Sequence, residues 1–170
     1  MQSRYAGTFI ADAIQHSEMK LKELAEATHQ SAQAISGYST GRRPIPFDKA
    51  VDLARQLKNG KFNVALAATF FGTLAPRKTN NLSSDNVFLL RDLKNYEEDD
   101  RKKIEDETFK ILMLKEEDRT YQQRLFLETF AKEMSEELSA ELTCFIEFCK
   151  EAGIQSVSIF DELNEENMRE

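Results

Sequence analysis

Few side chains in this chain can carry chemistry, and most of them are placed where they cannot act together. Cys144 and Cys149 are five positions apart and so do not share a helix face, while His16 and His29 lie in the other half of the sequence. Zinc ligands come in closely spaced pairs. None is present, and two buried free thiols are the simpler expectation. His29 is near Ser31 and Ser36, but no third group is evident to orient it as nucleophilic catalysis requires. No glycine-rich phosphate loop and no paired-carboxylate motif stands out. The expectation is a protein that is not an enzyme and has no metal and no cofactor. What remains is Lys20 to Arg43, KLKELAEATHQSAQAISGYSTGRR, where small hydrogen-bonding side chains are gathered between cations. That chemistry suits a polyanion with readable edges: cations meet phosphates, and short polar groups meet bases.

The elements needed to hold these residues can be read from apolar spacing. Thr8 to Gln15 is expected as a first helix with Phe9, Ile10, Ala13 and Ile14 on its apolar face. Met19 anchors a turn. A second helix begins at Lys20 or Leu21, with Leu24 and Ala25 pointing inward. Ser31 is a good N-cap for a third helix, which buries Ile35 beside Tyr38 and stops at Gly41. Short helix, tight turn, short polar helix is the layout of a helix-turn-helix, which pushes its second helix into the major groove of DNA. Pro44 and Pro46 form a rigid connector. Pro46 or Phe47 opens a fourth helix, where Ala50, Leu53, Ala54 and Leu57 share a face. Asn59-Gly60 is read as a turn, and Phe62 to Phe71 as a fifth helix ending at Gly72.

Thr73 to Asp85, TLAPRKTNNLSSD, is the expected linker, with Arg77-Lys78 as solvated linker residues rather than a minor-groove arm. Beyond it, Asn86 to Asp118 is highly charged with spaced apolar residues. Thr120 to Ala152 is amphipathic, its stripe running Leu127, Ala131, Met134, Leu138, Leu142, Phe145 and Cys149. Gly153 ends it. Ser156 to Leu163 is apolar and of undecided type. The acidic runs Glu97–Asp100 and Glu116–Asp118 are expected as solvated helix faces. The fold class is therefore all-α: a five-helix helix-turn-helix domain over 1–75, a linker over 76–85, and an acidic helical hairpin or small bundle over 86–170. Such a hairpin leaves apolar surface that a second copy can cover, so a homodimer is expected. Folding of the hairpin back onto residues 1–72 in a monomer is the alternative.

Charge supports the division. Residues 1–78 hold 11 Lys/Arg against 6 Asp/Glu, a balance of +5, whereas residues 79–170 hold 12 against 24, a balance of -12. Only the first part can neutralise phosphates. No apolar run approaches the ~20 residues that span a bilayer, and the N-terminus lacks the apolar core of a signal peptide. A cytoplasmic protein with no membrane partner is expected.

Residues 8–72 resemble the Cro/C1-type helix-turn-helix regulators, the xenobiotic-response-element-like family common in phages and Gram-positive bacteria. The likeness rests on Leu24-Ala25, Ile35-Ser36, Tyr38 and Thr40-Gly41-Arg42-Arg43, which fit without a gap. The resemblance does not extend to residues 79–170. The resemblance implies that the third helix reads DNA. Ser31 would cap it and contact a phosphate, while Ala32 and Gln33 would face base edges. A Gln can bond adenine N6 and N7 together, and an Ala can touch a thymine methyl. Ser36 and Gly37 would share that surface. Lys20 and Lys22 would lie by the backbone, and Arg42, Arg43 and Thr40 would clamp a phosphate. The chain departs from the family at three points. His29 stands where Gly is usual, in a turn that needs positive φ, which His tolerates. Gly37 lies inside the recognition helix, where Gly costs about 1 kcal/mol relative to Ala. Ser39 replaces a common acidic residue.

The expected function is a sequence-specific transcriptional regulator, a phage or mobile-element repressor that binds an inverted repeat as a homodimer. Its partners are double-stranded DNA and a second copy. The alternative is a phage-encoded inhibitor of a host defence nuclease, of the anti-CRISPR kind. In that reading residues 86–170 occupy a basic nucleic-acid channel on another protein, and the helix-turn-helix serves autoregulation. The sequence names neither the operator nor the inducer, and leaves repression or activation open.

Overall fold

A computed structural model describes residues 6–76 and 86–168. Among them the chain is all-α, with eight α-helices, one short 3-10 turn over Glu116–Asp118, and no strand. It divides into two compact units, residues 1–76 with 149–170 and residues 77–148. From residue 77 on, the expected linker, with Arg77-Lys78, lies outside the described residues.

The first unit begins with α1 (Ala6–Gln15), α2 (Leu21–Ala27), α3 (Ala32–Ser39), α4 (Phe47–Leu57) and α5 (Gly60–Phe71). Their apolar spacings converge on one core of Ile10 and Ala13, Leu24 and Ala25, Ile35, Ile45, Ala50 and Leu53, and Phe62 and Leu66. Phe9, Ile14, Met19, Tyr38, Ala54 and Leu57 pack against it, partly buried. Full burial of a Leu or Ile side chain contributes about 1.5–3 kcal/mol, so this cluster holds the five helices to one another.

Local chemistry sets the helix ends. Lys58 takes a left-handed conformation, φ 45°, and ends α4. Asn59 then caps α5, its Oδ1 accepting from the Phe62 N–H at 3.0 Å. The expected Asn59-Gly60 turn therefore falls one residue earlier, and α5 starts at Gly60 rather than Phe62. Gly72 closes α5 at φ 70°. The segment of undecided type is helical, α8 (Ser156–Asn167), and belongs to this unit. With it come the acidic side chains Asp161, Glu162, Glu165 and Glu166. The basic character of residues 1–78 is thus offset within the unit itself.

The second unit holds α6 (Val87–Leu112) and most of α7 (Tyr121–Glu151). The two run antiparallel. Lys94 reaches Glu141 at 3.6 Å, Arg101 pairs with Glu137, and the rings of Phe109 and Phe130 meet edge to face at 6.4 Å. The seam of this hairpin is polar. Buried along it are Glu97, Thr108, Glu137, Thr143 and Glu147, beside Leu90, Ile111, Ala140 and Ile146. One expectation is corrected here. Glu97 is not on a solvated face, being only 4% exposed. Of the apolar stripe of α7, Cys149 is buried and Leu127, Leu142 and Phe145 are half-buried, while Ala131, Met134 and Leu138 are exposed. The physical reason is pairing: cross-helix ion pairs and hydroxyls line the seam, which turns the Met134-Leu138 side of α7 outward.

Candidate nucleic-acid interface

The candidate surface is built on α2, a four-residue turn and α3. At the start of α2 the Glu23 carboxylate accepts from the Lys20 N–H at 2.8 Å, half of a capping box. The Thr28 hydroxyl donates to the Leu24 carbonyl at 2.7 Å and closes the helix. His29 then adopts φ 51°, the left-handed conformation that reverses the chain. Ser31 caps α3, its Oγ accepting from the Ala34 N–H at 3.1 Å. That bond uses an oxygen lone pair and leaves the hydroxyl proton free to donate outward. The first N–H groups of α3 have no partner within the helix, as at any helix start. Together with the capping hydroxyl they form a donor cluster.

Ile35 is the one fully buried side chain of α3. On other faces of the helix, Ser31, Gln33, Ser36 and Thr40 are exposed. Ala32 is half-buried and packs on the core. The Thr40 hydroxyl donates to the Ser36 carbonyl at 2.8 Å, and the Ser39 hydroxyl to the same carbonyl at 3.1 Å. Thr40 thus spends its proton on the helix end. Lys20, Lys22, Arg42 and Arg43 are all exposed, and none of the four forms an ion pair among the described residues.

Two glycines arrange this surface. Gly41, at φ 68°, turns the chain after α3. The Arg43 N–H then donates back to the Gly37 carbonyl at 3.1 Å. A β-carbon on Gly37 would meet the Arg43 side chain, with Cδ at 3.3 Å and Cγ at 3.5 Å. The arginine stem therefore lies across the bare backbone of α3 at Gly37. Gly7 has a matching role behind the surface. A β-carbon there would sit 2.8 Å from the Tyr38 carbonyl and 3.2 Å from the Gly41 nitrogen, so only Gly lets α1 approach the end of α3 this closely. The part played by Gly7 was not legible in the sequence. Its one signal was a glycine just ahead of a helical pattern.

Elsewhere the chemistry is quiet. Burial raises the pKa of the Cys144 and Cys149 thiols and keeps them protonated. Glu97, Glu133 and Glu136 bring carboxylate oxygens within 4.8 Å of one another, and a carboxylate cluster alone does not make a metal site. No helix among the described residues is long and apolar enough to cross a membrane. No family model, curated protein or solved structure matches this chain.

Proposed function

We propose that the protein is a sequence-specific double-stranded DNA-binding transcriptional regulator, a repressor of the phage or mobile-element kind acting as a homodimer. The observation that carries this reading is the surface of α3. Its polar face is exposed, and the exposed cations Lys20 and Lys22 at the start of α2 and Arg42 and Arg43 after α3 form no ion pair among the described residues. Cations of this kind bind phosphate and fix the register of a helix on a duplex, while exposed polar side chains between them read base edges. Gln33 is the residue we assign to base reading, by paired hydrogen bonds to adenine. Ser31 and the first turn of α3 donate to a phosphate.

The outward apolar side of α7 supports the homodimer reading. Met134 and Leu138 are exposed there, and a second hairpin packed on this side completes a four-helix arrangement. Two copies then place their α3 helices about one DNA turn apart, ~34 Å, on an inverted repeat.

Electrophoretic mobility shifts with duplexes from upstream of the protein's own coding region provide the test. The expected result is sequence-dependent binding, with Gln33→Ala losing roughly 1–3 kcal/mol of discrimination at one base-pair position. Equal, weak binding to every duplex rejects the reading.

A further inference from the structure

The first unit carries a second feature that DNA binding does not use. A cleft of about 490 Å³ lies between α4, α5 and the start of α8. Its bed is aromatic: Phe47 meets Phe70 edge to face at 5.1 Å and Phe71 at 5.8 Å. Val51, Leu66, Ala67 and Val157 add aliphatic wall. The volume is in the range of small-molecule sites, roughly 300–1,000 Å³, which are mostly apolar with a few placed polar groups.

The polar groups point to a class of ligand. Arg55 and Lys58 line the cleft and form no ion pair among the described residues. One carboxylate, that of Asp161, also lines it, so the charged side chains leave a positive balance. Asn63 is on the wall, and its Oδ1 is buried without a hydrogen-bond partner. Such an unpaired acceptor favours binding of a donor. The residue lines the cleft and its amide torsion is soft, so a ligand N–H or O–H is a suitable partner for this oxygen.

We infer that this cleft binds a small aromatic organic anion. Its ring lies against Phe47, Phe70 and Phe71, its acid group meets Arg55 and Lys58, and a donor on the ligand satisfies Asn63. This inference does not depend on the DNA reading, and binding is measured on the chain without DNA.

The probe is 1-anilinonaphthalene-8-sulfonate, an aromatic anion with one N–H donor, titrated into the full chain. Expected are a saturable single site and shifts of the methyl resonances of Val51, Ala54, Ala67 and Val157. The exposed double substitution Arg55→Gln, Lys58→Gln weakens the probe about ten-fold, the sum of two solvent-screened charge contacts. A neutral naphthalene probe loses nothing in that variant. Methyl shifts confined to α6 or α7 overturn the inference, as does an affinity for the sulfonate that the double substitution leaves unchanged.

Discussion

At the scale of residues, the conformation of His29 matters as much as any contact. It holds φ 51° between α2 and α3, a region where a β-branched side chain is strained by about 1–3 kcal/mol and Gly is not. His29→Val should therefore lower the thermal midpoint, and His29→Gly should be at least as stable as the parent. If both variants melt alike, the left-handed turn is not what positions α3. Gly37 and Arg43 form a second such pair. A methyl at 37 sits 3.3 Å from Arg43 Cδ, so Gly37→Ala shifts the Arg43 stem away from α3 by a few tenths of an ångström. The expected effect is a weaker, still sequence-dependent complex, with a salt slope reduced by about one phosphate contact. An unchanged slope means Arg43 does not touch a phosphate.

At the scale of elements, the helices of the first unit were largely legible, and the reasons are local. Ser31, Gly41 and Gly72 act as cap and stops where their types indicate, and Ile10, Leu24, Ile35 and Leu53 fall on buried faces at helical spacing. The hairpin was less legible. Hydrophobic periodicity picks the most apolar stripe of α7, yet its seam also carries ion pairs across the helices, Arg101 with Glu137 and Lys94 with Glu141. No count of apolar residues contains that information. The linkages also give α6 a pH response. Hydrogen bonds from Lys102 and then Lys94 hold the Glu98 carboxyl down at about 2, against an ordinary value of 4.5. Because the folded value is the lower one, the Glu98 contribution is complete above pH 4.5. It is lost as pH falls toward about 2. Circular dichroism of the parent should show helicity declining across that window, more weakly in high salt. Glu98→Gln should flatten this part of the curve, and an identical acid limb in the variant would contradict the assignment.

At the scale of the whole molecule, association and charge set the behaviour. The net charge is -7, and the acidic residues of α8 belong to the same compact unit as α2 and α3. In the proposed DNA complex, phosphate attraction would come from the local cluster around α3 rather than from an overall positive field, acting over about a Debye length, ~10 Å in moderate salt. In the proposed homodimer the second copy packs through the hairpin. Sedimentation equilibrium should give twice the 19.6 kDa chain mass. Met134→Glu with Leu138→Glu should return the single-chain mass with its helicity intact. A parent that stays monomeric at all concentrations removes the dimer.

The most direct test of the central proposal is a map of backbone amide resonances in the full chain as a duplex from upstream of its coding region is added. The result expected is perturbation concentrated at Ser31–Gly37 and at Arg42 and Arg43, reversed by added salt. Perturbation confined to α6 and α7, or none at α3 under conditions where the duplex is bound, would contradict it.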